Sequence, residues 1–196
     1  MDEPLKEREL MAKILGKTSD SLFPLPAMLI SCAGKKRNRN LITLAWVSKV
    51  CAEPPMLAVA VRPSRHSYSI IKDSGEFIVN VPTESIIRQV DFCGNTSGKT
   101  VDKFKETGLT PQPASKVKAP LVKECPVNFE CIVRQSVRLG SHDLIIGEVV
   151  AVQVDDSVVD AQGKIDYTKA KPVVYVAPGY WNLAKQIGTY GYSVKT

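Results

Sequence analysis

Six consecutive residues, Arg-Pro-Ser-Arg-His-Ser at positions 62–67, combine several groups that bind anions. They contribute two guanidiniums, two hydroxyls and an imidazole, from Arg62, Arg65, Ser64, Ser67 and His66. The serine at position 64 has the residue type of a helix N-cap, and the first N–H groups of a helix have no acceptor inside it. Free N–H groups, hydroxyls and guanidiniums together suit a phosphate. This segment therefore predicts a phosphate site.

The stretch just before it, residues 40–50, has side chains that could hold a flat polar ring. Small and hydroxyl residues, Thr43, Ala45 and Ser48, stand among large ones, which leaves backbone N–H groups accessible. Trp46 lies in the same run and could cover one face of a ring. A planar ring and a phosphate held by one continuous segment suggest a mononucleotide cofactor.

Two β-rich apolar runs position these groups. The runs are residues 41–50 and 56–61, and Glu-Pro-Pro at 53–55 forms a rigid turn between them. We expect the two runs to pair as a hairpin. A short helix from Ser64 to about residue 73, ended by Gly75, follows the second run.

The remaining sequence predicts further short strands and helices. Strands are predicted at residues 24–33, 76–81, 126–139, 144–154 and 173–176. Helices are predicted at residues 84–92 and at a short segment carrying Lys103 and Phe104, with loops at 108–126 and 155–172 and a turn at 178–181. Many short strands with two or three helices predict a mainly β protein, a small β-barrel with α additions.

Residues 93–100 end like a nucleotide-binding P-loop, with Gly-Lys-Thr, but lack two of its features. The motif needs a glycine five positions before Gly98, where Cys93 stands, and a buried strand upstream, where an amphipathic helix is predicted. We therefore interpret this stretch as a loop that leads into the helix carrying Lys103.

Four segments along the chain form one ordered pattern. They are N-x-x-T-x-A-W-x-S at 40–48 with E-P-P at 53–55, R-P-S-R-H-S at 62–67, S-G-K-T-V-D-K-F at 97–104, and G-S-H-D-L-I-I-G-E-V at 140–149. This order resembles the flavin reductase-like family of FMN-binding split barrels, especially its flavoredoxin and archaeal ferric reductase branch. The resemblance covers roughly residues 22–180. It implies a Greek-key split barrel that forms a homodimer and binds FMN rather than FAD.

The resemblance also implies which residues bind the cofactor. They are Asn40, Thr43, Ala45, Trp46, Val47, Ser48, Arg62, Ser64, Arg65, His66, Ser67, Lys103, His142 and Tyr175. Tyr175 belongs to a C-terminal segment that, by resemblance, approaches the ring near the dimer interface. Plainer interpretations remain open: Lys103 as a solvated helix lysine, His142 as a surface turn residue, and Tyr175 as a packing aromatic. No side chain is expected to act as a catalytic acid or base, no metal site is predicted, and backbone amides near 45–48 would stabilise charge on the flavin.

Length, composition and charge limit the possible partners. The 196 residues with 44% hydrophobic content suffice for one buried domain, assigned to residues 22–196, with residues 1–21 as a helical or frayed extension. The net charge of +6 is spread along the chain except for a basic run at 35–40. That run is a solvated turn, or it attracts an anionic cofactor or a nicotinamide dinucleotide. Nucleic acid is not an expected partner, because aromatic residues and further basic clusters are absent beside the run.

The sequence predicts a cytoplasmic protein without a membrane segment. It has neither an apolar run of about 18 residues nor a basic, apolar leader. The five cysteines are scattered, without a C-x-x-C pair, and are expected to be reduced and mostly buried. Cys51 lies next to the proposed ring site and could modulate a flavin.

Two functions from different classes follow. The first is an NAD(P)H-dependent flavin or ferric reductase in which FMN is prosthetic or a substrate. The second is an electron carrier like flavoredoxin, which holds FMN and exchanges electrons with a protein partner. The chain lacks a G-x-G-x-x-G nicotinamide motif, so NAD(P)H would lie directly on the flavin as a transient reductant. A basic binding domain without flavin is the third interpretation.

Overall fold

The computed structural model describes residues 16–18, 22–34 and 38–194. The strands in these ranges are β1 Leu25–Pro26, β2 Met28–Ala33, β3 Arg39–Leu44, β4 Val47–Cys51, β5 Met56–Val61, β6 Glu76–Val81, β7 Pro111–Gln112, β8 Leu121–Val122, β9 Val127–Arg138, β10 Asp143–Val154, β11 Val173–Val176 and β12 Gly179–Asn182. The α-helices are α1 His66–Ser74, α2 Ile87–Asn95, α3 Lys103–Thr107 and α4 Tyr167–Ala170. None of these helices is long and apolar enough to span a membrane. The mainly β class predicted from the sequence is confirmed, whereas most of the predicted extension at 1–21 lies outside the described residues.

Seven strands form one antiparallel sheet in the order β3-β2-β6-β9-β10-β5-β4. β3 and β4 follow each other in the sequence but occupy opposite edges of this sheet. Where the chain passes between them, Ala60 N–H donates to the Trp46 carbonyl at 3.0 Å, and β3 also contacts β5. The two edges therefore approach each other and the sheet curves into a barrel.

The prediction that residues 41–50 form one continuous strand is wrong. β3 ends and β4 begins around Ala45 and Trp46, which form a corner. Every residue of the run is compatible with a strand, so local propensity does not show the corner, and pairing at the two edges imposes it. The predicted hairpin exists between β4 and β5, with Val47 opposite Val59.

The barrel interior is filled by alternate residues of its strands, as the two-residue period of a β-strand requires. Ile30, Val59, Phe77 and Ile145 are fully buried there. Gly147 in β10 leaves room for the aromatic ring of Phe77, because a Cβ at this position would lie 2.7 Å from that ring. A larger residue at position 147 would have to displace the core.

A second core lies between the sheet and the helices. α2 and α3 pack on β3, and the buried residues there include Leu41, Val90, Cys93 and Phe104. α1 packs on β2 and β3 and ends at Gly75, whose φ of 72° is the left-handed conformation that glycine favours. The helix end predicted at Gly75 is confirmed.

Several short elements differ from the prediction. The turn predicted at 178–181 is largely β12, which pairs with β11, while β1 pairs with the other edge of β11. The loop predicted at 155–172 contains α4, and that at 108–126 contains the paired strands β7 and β8. The helix predicted at 84–92 begins as a 3₁₀ turn at Glu84–Ile86 and continues as α2. Elements of two to four residues are too short to give a periodic pattern.

All five cysteines are free thiols, and four of them are buried. Cys51 is partly buried, and its Sγ donates to the Glu53 carbonyl at 3.3 Å. The prediction of mostly buried, unpaired thiols is therefore confirmed.

Candidate functional site

A cavity of about 100 Å³ opens at the start of α1, between that helix, β3 and the loop before α3. The residues that line it are mostly polar: Asn40, Ile42, Ser64, Arg65, His66, Ser67, Thr96, Ser97, Gly98 and Lys103. The structure thus brings together six of the residues predicted to bind the cofactor, from three separate parts of the chain.

The first turn of α1 forms one wall of this cavity. Arg65 is the N-cap, one position later than the predicted Ser64, and no side chain caps the helix. A tight turn, in which Arg65 N–H donates to the Arg62 carbonyl at 3.0 Å, delays the start of the helix. The N–H groups of His66 and Ser67 then lie at the open end of the helix, whose first turn contains no acidic residue. The positive end of the helix dipole therefore faces the cavity, and no acidic side chain in the first turn of α1 neutralises it.

A buried hydrogen bond fixes the opposite wall. Asn40, which is 3% exposed, donates from Nδ2 to Ser67 Oγ at 2.8 Å and so connects β3 to α1. The backbone of Gly98 lies directly against this amide, because a Cβ on Gly98 would overlap Asn40 Oδ1. Glycine at position 98 therefore lets the loop close the cavity without displacing Asn40.

Lys103 is a buried cation in this cavity without a carboxylate partner. The residue is 3% exposed, and Nζ donates to the Cys93 carbonyl at 2.6 Å. Burial lowers the pKa of Lys103; Cys93 opposes this effect and the charge of Arg65 adds to it. The ion pairs found in the described part of the chain involve other residues. A buried lysine costs free energy unless an anion compensates it, so this position favours an anionic ligand.

The pKa of His66 is affected by the same positive charges. Burial lowers its pKa most, and the charges of Lys99 and Lys103 lower it further. Among the described residues that line the cavity there is no carboxylate. A donor set of cations, hydroxyls and helix N–H groups without an acid fits a phosphate monoester. We call this space the anion cavity.

A second part of the predicted site lies at the corner between β3 and β4. The ring of Trp46, which is about half exposed, packs on the ring of His142 with centroids 4.4 Å apart and planes tilted by 48°. His142 lies in the β9–β10 turn, where its Nδ1 is 2.9 Å from Ser141 Oγ. Burial lowers the pKa of His142, and the charges of Arg62 and Arg65 lower it further. The charge of Arg62 therefore acts on this corner although Arg62 does not line the anion cavity.

An apolar groove of about 740 Å³ runs along the edge of the barrel beside this corner. Its lining includes Trp46, Val47 and Ser48 from the corner and β4, and Leu144 from β10. β4 is an edge strand, so the N–H and C=O groups on its outer side have no strand partner among the described residues. Four of the predicted ring contacts therefore share one open surface: Ala45, Trp46, Val47 and Ser48.

Thr43 and Tyr175 lie outside the anion cavity. They line a separate pocket of about 320 Å³ between β3, α2 and the β11–β12 hairpin. The Thr43 hydroxyl donates to the Val90 carbonyl at 2.5 Å, which connects β3 to α2. Ala45 lines both this pocket and the apolar groove, so it separates the two spaces. The cofactor contacts predicted for Thr43 and Tyr175 stay predictions.

Thr96, Ser97 and Gly98 complete the anion cavity but were not among the predicted site residues. The resemblance places the segment 97–104 against the cofactor, yet it singles out only Lys103 there. The signal that could have found them is the Thr-Ser-Gly triplet itself, which offers two hydroxyls and a residue without a Cβ for a close approach. Only the fold shows that this triplet lies against Asn40 rather than in a free loop.

Known proteins resemble this chain in sequence and in fold. A family model described as a flavin reductase-like domain matches residues 20–183. An uncharacterised protein of Archaeoglobus fulgidus is 38% identical over 146 residues, which are 74% of this chain and 81% of that protein.

Two solved structures are similar over nearly the whole chain. Flavoredoxin of Desulfovibrio vulgaris (Miyazaki F) has a TM-score of 0.88 at 30% identity, and flavoredoxin from Methanosarcina acetivorans has 0.85 at 31%. Each match covers 94% of this chain and 100% of the other chain. The split-barrel fold predicted from the sequence is confirmed.

Proposed function

Because this chain belongs to the flavin reductase-like family, we propose that it is an FMN-binding oxidoreductase that reduces flavin, or ferric iron, with NAD(P)H. The observation that carries the proposal is the anion cavity. There the buried ammonium of Lys103 and the start of α1 meet no carboxylate among the described lining residues. The terminal phosphate of an anionic cofactor would compensate the charge of Lys103 and accept hydrogen bonds from the N–H groups at the start of α1.

In this proposal the anion cavity holds the phosphate of FMN. Ser64 offers a hydroxyl, Arg65 a guanidinium and Lys103 an ammonium, and the N–H groups of His66 and Ser67 lie at the open end of α1. Hydrogen bonds from charged donors to phosphate are stronger than those between neutral groups. The Asn40–Ser67 bond keeps the wall of the cavity in place before a ligand arrives.

The corner between β3 and β4 is the proposed ring site. Bound FMN would supply hydride and electron transfer, chemistry that side chains do not perform. The outward N–H groups of β4 would donate to the polar edge of the ring and stabilise negative charge there. Trp46 and His142 pack together beside this strand, and in this proposal Trp46 shields one face of the ring. No side chain is assigned the role of a catalytic acid or base.

Two measurements test this function: the visible absorption spectrum of the protein, and its reduction under anaerobic conditions. We expect a flavin spectrum, either in the protein as purified or after FMN is added, and rapid bleaching when NADH or NADPH is mixed in without oxygen. A colourless protein that does not take up FMN would contradict the proposal and favour a basic binding domain without flavin.

The second candidate function is electron transfer. It is favoured by the similarity in both sequence and structure to two proteins named flavoredoxin. An electron carrier would hold FMN tightly and exchange electrons with a protein partner. Bleaching by a reduced redox protein, but not by NADH or NADPH, would identify this function.

We also propose that the protein is a cytoplasmic homodimer. Large apolar side chains near the ring site are exposed, with Leu22 at 79%, Phe23 at 69% and Val50 at 50%. Exposed apolar patches of this kind mark interfaces. The free thiols are compatible with a reducing compartment. Light scattering in solution measures the mass directly, and a monomer at all concentrations would contradict the dimer.

A further inference from the structure

Asp143 is a buried carboxylate that has no role in the proposed function so far. It is the first residue of β10, is 5% exposed and lies opposite Val61 of β5 and Arg138 of β9. The ion pairs in the described part of the chain are formed by other residues. A buried carboxylate is costly unless hydrogen bonds compensate it. Its hydrogen-bond partner therefore shows which parts of the fold this residue connects.

That partner is Tyr68 of α1. The Tyr68 hydroxyl donates to Asp143 Oδ2 at 2.6 Å, and the Tyr68 ring packs against the core of the barrel. This length is typical of a hydroxyl that donates to a carboxylate. The hydrogen bond to Asp143 raises the pKa of Tyr68 most, burial and the charge of Asp143 raise it further, and the charge of Arg138 lowers it. The Tyr68 hydroxyl therefore keeps its proton at neutral pH and remains the donor.

Two consecutive residues of α1 thus connect the helix to two different strands. Ser67 Oγ accepts a hydrogen bond from Asn40 of β3 at 2.8 Å, and Tyr68 donates to Asp143 of β10. Ser67 and the preceding His66 line the anion cavity. The first turn of α1, and with it one wall of the cavity, is therefore fixed against both strands.

The Asp143 end of this hydrogen bond leads to the ring site. His142 directly precedes Asp143, and its ring packs on Trp46 with centroids 4.4 Å apart. Residues 139–141 of the same turn are exposed, so Asp143 is the buried residue that anchors the turn next to His142. The hydrogen bond between Tyr68 and Asp143 therefore connects the two parts of the proposed cofactor site, the anion cavity and the ring site.

We propose that Tyr68 and Asp143 are positioning residues, which hold the anion cavity and the ring site at the separation that one FMN molecule spans. The inference rests on the proposed function. FMN must occupy both sites at once, whereas riboflavin can follow the ring site alone. A fixed separation therefore favours FMN over riboflavin, because the two sites are oriented before the ligand binds. It also keeps the polar edge of the ring against the N–H groups of β4, which stabilise negative charge on the reduced flavin.

The test combines calorimetric titration of the full-length, flavin-free protein with FMN and riboflavin and the midpoint potential of bound FMN. Tyr68→Phe removes the hydroxyl but keeps the ring in the core. We expect the ratio of FMN affinity to riboflavin affinity to fall about tenfold. We also expect reduced FMN to lose about tenfold more affinity than oxidised FMN, which lowers the two-electron midpoint potential by about 30 mV. Asp143→Asn keeps an oxygen that accepts from Tyr68, so both quantities should stay close to those of the unmodified protein.

Two controls separate positioning from folding. Glu130→Gln alters another buried carboxylate, which lines neither the anion cavity nor the groove at the ring site. It should lower stability but change neither the affinity ratio nor the potential. Tyr167→Phe, in an exposed tyrosine of α4, should change nothing. If Tyr68→Phe does not fold because Asp143 is left without a donor, the double variant Tyr68→Phe/Asp143→Leu replaces both polar groups and gives the same two readouts.

The outcomes distinguish this inference from the proposed function. An unchanged affinity ratio and potential in Tyr68→Phe overturn the inference and leave the proposed function intact. Equal losses of FMN and riboflavin also overturn it, because the hydrogen bond would then act only through the stability of the fold. Losses in Asp143→Asn as large as those in Tyr68→Phe overturn it too, since the charge and not the hydrogen bond would matter. If neither flavin binds the unmodified protein, the proposed function fails and the inference fails with it.

Discussion

Lys103 is the buried cationic side chain that lines the anion cavity. It is buried, its pKa is lowered mainly by burial, and its Nζ donates a hydrogen bond to the Cys93 carbonyl. The substitution Lys103→Gln keeps a polar group that can donate to Cys93 but removes the charge. We expect FMN to bind about 10- to 100-fold more weakly, because a charge-assisted bond to phosphate is lost. Riboflavin, which has no phosphate, should be nearly unaffected in the same titration.

The control for this prediction is Lys105→Gln in the same short helix. Lys105 is exposed and does not line the anion cavity. Its substitution should change neither affinity, and thermal unfolding of both variants shows whether the fold is intact. Equal losses of FMN and riboflavin in Lys103→Gln would mean that Lys103 acts through the fold rather than on a phosphate.

The substitution Trp46→Ala tests the proposed ring site. The side chain is about half exposed and contacts His142, so Trp46→Ala should change the free energy of unfolding by less than about 1 kcal/mol. If the flavin ring lies at this corner, the variant should alter both the fluorescence and the redox potential of the bound flavin. An unchanged spectrum and potential would move the ring away from Trp46.

The loop before α3 can close the anion cavity only because the residue at position 98 is a glycine, which has no side chain. A Cβ there would overlap Asn40 Oδ1, and Asn40 is held by its bond to Ser67. We expect Gly98→Ala to weaken FMN binding about tenfold and to lower the free energy of unfolding by about 1 to 3 kcal/mol, because Asn40 must move. Gly34→Ala is the control, since a Cβ there meets its neighbours at an ordinary 3.7 Å. Unimpaired FMN binding in Gly98→Ala would contradict the proposed cavity wall.

The loop at 113–119 is tied to the barrel by one buried carboxylate, Glu130 of β9. Its oxygens accept hydrogen bonds from the backbone N–H groups of Ser115, Lys116 and Val117, the Ser115 hydroxyl and the Gln153 amide. Burial raises the pKa of Glu130, but the hydrogen bonds outweigh it and lower the pKa to about 2. Glu130→Gln should therefore lower the free energy of unfolding by about 2 to 4 kcal/mol at pH 7.

The pH dependence of Glu130 has a definite sign. Its folded pKa lies below the unfolded value, so its contribution to stability is complete above about pH 4.5 and is lost as the pH falls towards 2. The difference between the unmodified protein and Glu130→Gln, measured by urea unfolding, should shrink over this interval. Glu106→Gln, an exposed acid in α3, is the control and should stay within about 0.5 kcal/mol of the unmodified protein. A difference that does not change with pH would contradict the role of the carboxylate.

Sequence reasoning found the elements that have a periodic pattern or a strong breaker. β6 and β11 have the predicted bounds, and α1 ends at Gly75 as expected. It missed the corner at Ala45 and Trp46, because both residues fit a strand and only pairing at the two edges separates β3 from β4. It also missed β12 and α4, which are four residues long.

Closure of the barrel determines which of the predicted site residues lie close together. Asn40 and Thr43 are three positions apart in one strand, so their side chains point to opposite faces of the sheet. Asn40 lines the anion cavity, whereas Thr43 lines the pocket beside α2. The motif pattern identified both residues, but it contains no information about the face that each one occupies.

The charge of the molecule as a whole predicts how binding responds to salt. The chain carries a net charge of +6, and the cations around the anion cavity have no carboxylate partners within the described residues. We expect FMN affinity to fall several-fold when the ionic strength rises from about 0.05 to 0.5 M, because salt screens these charges. Riboflavin affinity should stay nearly constant over the same range. A parallel decline of both would show that the phosphate is not what the cations recognise.

The most direct test compares the binding of FMN and of riboflavin to the unmodified, flavin-free protein. The two ligands have the same ring and ribityl chain and differ only in the terminal phosphate, so their affinity ratio isolates the anion cavity. We predict from calorimetric titrations at pH 7 that FMN binds at least about 100-fold more tightly, since several charge-assisted bonds depend on that phosphate. Equal affinities for the two ligands would contradict the assignment of the cavity at the start of α1.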